Sequence, residues 1–173
     1  SAAALELPQT LTISSWVFPF TFSVGTFGYG AIFSRSALFN QATAKYAFYC
    51  FGQFDNEGQL SFSMNGTSVI SSIAPTLNVW NHVAVVNSAS ELQFYKNGIA
   101  DPSGPYTAMT VPTYSTETEK IGVWADAGDD GDFQGFIDNV RVYSRSLTQA
   151  DVFELYLEGL RSQGCAAGVN YNN

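Results

Sequence analysis

The chain has 173 residues, 46% hydrophobic and 15% aromatic, with Asp and Glu outnumbering Lys and Arg by 15 to 7. The net charge of −8 argues against a nucleic-acid partner and against adsorption to anionic lipid, and is compatible with a cation site or a neutral glycan. Nowhere does an apolar run approach the roughly 20 residues of a membrane helix, and the length suits one domain with a two-sheet core.

In chain order, residues 3–7, 10–18, 31–34, 45–51, 59–64, 68–72, 80–87, 92–96, 120–124 and 134–143 read as strands. Several follow one another at the spacing of about 10 to 15 residues expected of a sandwich or barrel. Leu60, Phe62 and Met64 alternate onto one face of their strand. Asn65-Gly66 and Asn97-Gly98 are tight-hairpin signals. Asn65-Gly66-Thr67 is also a glycosylation sequon, although the turn alone accounts for it. Longer loops fall at 19–30, 101–119 and 125–132. At the C-terminal end Thr148 and Asp151 form a helix start signal, and Val152, Phe153, Tyr156 and Leu160 repeat at helical spacing. The expected architecture is an all-β, two-sheet antiparallel sandwich, with this helix tucked against a sheet edge or opening. No repeat or linker divides the chain, so residues 1–173 read as a single domain. Because it begins at Ser1, without an initiator Met or signal peptide, it reads as a piece processed or excised from a larger protein. Cys50 and Cys165 are either a bridge pinning the Gly-rich tail, which implies an oxidising compartment, or two unrelated thiols with Cys50 a small core hydrophobe.

Four blocks occur in order: Leu-Thr-Ile-Ser-Ser-Trp-Val at 11–17, Leu-Asn-Val-Trp-Asn-His-Val-Ala-Val at 77–85, Leu-Gln-Phe-Tyr-Lys-Asn-Gly at 92–98, and the run from Gly135 to Leu147. The series resembles the laminin G-like domains of the concanavalin A-like lectin/glucanase superfamily, over about residues 5 to 157. The resemblance implies two stacked sheets in jelly-roll order, one of them concave. It does not imply one function, since that scaffold carries binding modules, adhesion domains, glycoside hydrolases and polysaccharide lyases. The chain departs from the pattern before Leu5, where similar domains often have an extra strand and an Asp- and Gly-rich turn.

Several groups are candidates for chemistry. Asp126, Asp129, Asp130 and Asp132, interleaved with glycines, suit a calcium ion, which takes six to eight oxygens; the alternative is a solvated acidic turn. Asp138 interrupts an apolar strand and, if buried, needs a metal, Arg141 or a backbone amide. In similar domains the matching Asp often serves a structural calcium. His82, the one histidine, reads as a satisfied core group on the same strand face as Trp80 and Ala84. The alternating Glu-x-Asp-x-(x)-Glu run of the hydrolase branch is absent, and Glu117 and Glu119 read as solvated loop charges. A lyase would need Tyr and Arg chemistry, for which Arg35, Lys45, Tyr46 and Tyr49 are the group that the concave sheet could assemble. Sugar binding needs aromatic faces beside amides and carboxylates. Tyr29, Phe39, Phe54, Tyr106, Tyr114 and Trp124 lie in or near loops, and Trp124 next to Asp126 is the best pairing. The leading expectation is a non-catalytic glycan-binding or adhesion module of an extracellular, cell-surface or particle-associated protein, with tentative structural calcium. The alternative is an enzyme acting on cell-wall or algal-type polysaccharide.

Overall fold

The computed structural model describes residues 10–22, 29–35, 46–51, 58–110, 119–123 and 131–166, with the backbone alone at 29, 51 and 163–166. Within these residues the chain folds into two antiparallel sheets, as expected. The first runs in the order β11 (Gly135–Tyr143), β1 (Leu11–Pro19), β6 (Asn81–Asn87), β7 (Glu91–Lys96), β8 (Ile99–Ala100), with β9 (Tyr106–Thr107) also pairing to β7. The second runs β10 (Glu119–Ile121), β2 (Tyr29–Arg35), β3 (Tyr46–Phe51), β4 (Gln59–Met64), β5 (Thr67–Ile70).

Period-two alternation builds the core between the sheets. Ile13, Val83, Val85, Leu92 and Phe94 from the first sheet meet Ile32, Phe48, Leu60, Phe62 and Met64 from the second. Each of these side chains, fully removed from water, contributes about 1.5–3 kcal/mol. The strand at 59–64 has the predicted bounds and inward face. Both Asn-Gly pairs adopt positive φ, 51° and 79° at Asn65 and Gly66, 51° and 76° at Asn97 and Gly98, as a two-residue hairpin turn demands. Cys50 is a free, buried thiol in this core, and burial pushes its pKa up to about 12. It therefore behaves as a small hydrophobe; the side chain of Cys165 lies outside the described residues, as does the strand expected at 3–7.

A bulge and a helix shape the outer face of the first sheet. The register of β1 on β11 shifts between Ser14 and Trp16, opposite Asn139 at φ 51°. This bulge resets the parity of β11, so that Ile137, Val140 and Val142 all pack on the core while Phe136 and Asp138 face outward. Helix α1 (Gln149–Ala166) then crosses the outer face of the first sheet, not an edge. It starts at the predicted capping box: the Thr148 amide donates to Asp151 Oδ2 at 2.9 Å and the Asp151 amide to Thr148 Oγ1 at 3.2 Å. Leu147 and Val152 pack with Ala84, Val86 and Tyr95. One turn on, Tyr156 stacks on Trp16 with centroids 5.8 Å apart. Gly159 follows, buried against the Trp16 indole. The sheet-facing stripe is thus Val152, Tyr156 and Gly159, whereas Phe153 and Leu160, expected on it, are substantially exposed. Among the described residues no helix is long and apolar enough to cross a membrane.

Candidate functional site

The outer face of the first sheet is covered by α1 only in part. Trp16 and His82 lie beneath the helix. Further along the same face, past the end that α1 covers, the strand pleat sets out a row of aromatic rings. Phe18 and Phe136 are direct register partners on β1 and β11, and Trp80 immediately precedes β6, beside the pairing of Val17 with Asn81. Phe18 meets Trp80 at a centroid distance of 5.7 Å and Phe136 at 5.9 Å. Phe20 closes edge-on against Phe136 at 5.2 Å, and Trp80 lies 6.4 Å from Phe136. Although they pack on one another, these rings remain open to solvent: Phe136 is 58% and Phe20 47% exposed, with Val79 and Leu77 exposed beside them. A contiguous apolar patch of this kind marks an interaction site.

Polar groups surround the platform. The Phe20 amide donates to the Gln134 carbonyl at 2.8 Å, and the Asn78 amide to that of Pro19 at 2.8 Å, so both exposed amide side chains belong to this end of the sandwich. Asp138 is exposed on the same face of β11, two residues from Phe136. Two flanking glycines are tied to β2: the Gly122 amide donates to the Ile32 carbonyl at 3.1 Å, and the Gly131 carbonyl accepts from the Ala31 amide at 3.0 Å.

Sequence reasoning pointed to other residues. Trp124, Asp126, Asp129, Asp130, Tyr114 and Lys45 lie outside the described residues, as do Phe39 and Phe54. Asp132 is half-buried in a bridge to Ala31. Asp138 is not the buried carboxylate expected of it: the bulge turns it to solvent, where Oδ1 accepts the Asn139 amide at 2.7 Å. Among the described residues no three acidic, His or Cys side chains gather as a metal would require. Tyr106, expected as a ligand-binding ring in a loop, is instead held in β9. Its hydroxyl donates to Asp101 Oδ2 at 2.7 Å and its ring packs edge-on to Phe94.

The Arg35, Tyr46 and Tyr49 group does not form one surface. Tyr46 and Tyr49 differ by an odd number of positions on β3, so they leave opposite faces. Tyr46 points into the core, stacked on Phe33, while the Tyr49 hydroxyl meets Ser63 Oγ at 2.9 Å on the other side. Arg35 is paired across the sheet with Glu119 at 3.4 Å, so Glu119 is a structural partner and not the solvated charge expected. Burial first, then the Glu119 charge, pushes the Tyr46 phenol up to about 12. His82 is buried as expected. Its Nε2 lies 2.8 Å from Ser14 Oγ, and burial together with the Arg141 charge lowers it to about 4.

Two other hollows compete with the platform. The cleft between α1 and the sheet, lined by Ser14, His82, Arg141 and Glu158, is about 80 Å³, far below the roughly 300 Å³ of small-molecule sites. Glu158 also holds Arg141 there in a two-pronged pair at 2.8 Å. A groove of about 310 Å³ lies at the opposite end, lined by Met64, Asn65, Thr67, Val69 and residues 107–110, and offers no aromatic face. The platform is missed in a sequence reading because Phe18, Trp80 and Phe136 look like ordinary strand hydrophobics. The available signal was that Phe18 shares the parity of Trp16, and Trp80 that of His82; for Phe136 there was none.

Two stacked antiparallel sheets with one C-terminal helix are the architecture of concanavalin A-like domains. The chain belongs to the concanavalin A-like lectin/glucanase superfamily: the laminin G model of that superfamily matches residues 1–153. No curated protein matches the sequence. Solved structures similar to it include a heptameric SAP-like pentraxin from Limulus polyphemus, 18% identical with a TM-score of 0.63, covering 86% of this chain and 70% of that one. Another is domain 4 of an extracellular arabinanase from Geobacillus stearothermophilus, in complex with arabinotriose, 22% identical with a TM-score of 0.65, covering 88% and 68%. A third, from Bacteroides ovatus and described as carbohydrate-binding, is 15% identical with a TM-score of 0.65, covering 87% and 43%. At these identities the likeness is one of fold.

Proposed function

We propose that this chain is a carbohydrate-binding module, without chemistry of its own, within a larger extracellular or surface-associated protein. The observation that carries the reading is the pair of solvent-open rings Phe20 and Phe136 packed with half-buried Trp80, with the exposed residues Gln134, Asn78 and Asp138 at the same end. Pyranose and furanose rings present apolar C–H faces that stack on aromatic side chains, and hydroxyls that amides and carboxylates orient. The fold likeness to a domain crystallised with arabinotriose supports it. Retention on immobilised polysaccharides tests it directly: the native chain is held on at least one, and Trp80→Ala, Phe136→Ala and Trp124→Ala each weaken the hold. No retention across a varied panel refutes the proposal. Calcium on the acidic run from Asp126 to Asp132 is part of the same proposal; a melting temperature unmoved by EDTA removes it.

A further inference from the structure

We infer that the platform takes a neutral glycan, one without uronate or sulfate groups, an inference that rests on the carbohydrate-binding reading and narrows it. The placement of the cations carries it. The chain has seven Lys and Arg in all, against fifteen acids. Recognition of a sugar carboxylate or sulfate relies on a Lys ammonium or the two-pronged donor set of Arg. Arg35 is buried against Glu119 in the row Glu119–Arg35–Tyr46–Met64, at the opposite end of the sandwich. Arg141, on the same outer face three residues from Asp138, is occupied by both oxygens of Glu158. Arg145 pairs with Asp151 at the helix start. Lys96 donates to the Ala74 carbonyl at 2.8 Å and to Thr76 Oγ1 at 3.0 Å. Lys120 lies on β10 of the second sheet, and Arg161 is on the helix with Glu158 as its acidic neighbour. Lys45 lies outside the described residues.

Carboxylates, by contrast, collect at the platform. Asp138 stands two residues from Phe136 on the exposed face, and Asp132 two residues before Gln134. An anionic sugar here would meet like charge, and Arg141, the basic residue nearest Asp138 along that face of β11, is already held by Glu158, whereas a neutral sugar gives its hydroxyl protons to the same carboxylates. The net charge of −8 opposes two other occupants of an apolar patch in the same way, an anionic lipid surface and a second copy of the chain.

The test is affinity electrophoresis of the full chain through gels loaded with neutral polymers (arabinan, β-glucan, galactomannan) or anionic ones (polygalacturonate, alginate, carrageenan). At least one neutral polymer retards the protein. That retardation changes less than about twofold between about 50 and 500 mM NaCl, because no ion pair is being screened. It falls about tenfold or more in Phe136→Ala, the loss expected of a central anchor. Asp138→Ala, a surface change that leaves the fold intact, also weakens it. Retardation by anionic polymers alone, fading with salt, overturns the inference while the carbohydrate-binding reading survives. No retardation by either class overturns both. A chain that dimerises in solution through the platform, and loses the dimer in Phe136→Ser, then reassigns the face to a second copy.

Discussion

Gly159→Ala inverts an ordinary expectation. Inside an exposed helix that substitution stabilises by about 1 kcal/mol, because Ala loses less backbone freedom on folding than Gly. Gly159 instead lies against Trp16, and a methyl group added there would overlap Nε1, Cε2 and Cζ2 of the indole. The obstacle is a rigid ring. The ring cannot swing aside freely, since it is buried, stacked on Tyr156 and tilted against His82 at 5.6 Å. Overpacking a site of this kind costs about 1–3 kcal/mol. Set against the propensity gain, the net runs from near zero to a loss of about 2 kcal/mol, a fall of up to roughly 8 °C in melting temperature for a domain of this size. Thermal melts of the native chain and Gly159→Ala measure it, and Trp16→Phe should largely relieve the clash in the double variant. A melting temperature that rises in Gly159→Ala refutes the close approach of helix and indole.

His82 gives stability a slope in mildly acid solution. Its pKa is held near 4 in the folded chain, by burial and then by Arg141, against about 6.5 unfolded, so between those values the unfolded state binds the extra proton. Stability is therefore complete above about pH 6.5, declines by on the order of 3 kcal/mol as pH falls to about 4, and levels off for this group below that. Urea unfolding of the native chain and His82→Asn should give curves against pH that converge toward pH 4; parallel curves contradict the assignment. Two ion pairs should behave oppositely. Arg35→Ala, which strands Glu119 and opens the space under Tyr46, costs about 2–4 kcal/mol. Arg145→Ala breaks an exposed pair at the same 3.4 Å separation and costs at most about 1 kcal/mol in the same denaturation assay. Equal effects would show that burial does not govern either pair. Phe136→Ala should change stability by less than about 1 kcal/mol, since the ring is more than half exposed, while reducing glycan retention.

The parts of this molecule that sequence reading recovered are those governed by local chemistry. The face of β4, the Asn-Gly turns and the Thr148–Asp151 cap are set by pleat, positive φ and hydrogen bonds within a few residues. The ordered blocks around Trp16, His82, Tyr95 and Asp138 carried the architecture. What escaped depends on contacts made across the sheet. The two-residue strands β8 and β9 exist only through their pairing with β7. The exposed position of Asp138 depends on the Asn139 bulge, which no periodicity announces. The inward stripe of α1 includes a glycine, so a count of apolar residues points to Phe153 and Leu160 instead. The site followed the same division. Its rings were not legible, because only strand order shows that Phe18 and Phe136 are neighbours.

Three of the platform's rings hang from, or immediately beside, hydrogen-bonded neighbours in one sheet, so their separation is fixed by the inter-strand repeat of about 4.8 Å rather than by loop conformation. A ligand arriving there finds its stacking surface already assembled, and little side-chain freedom is lost on contact. Such a surface favours rapid capture and rapid release. Tenacity on a long polymer then comes from several such domains acting together, each holding a few sugars at a time.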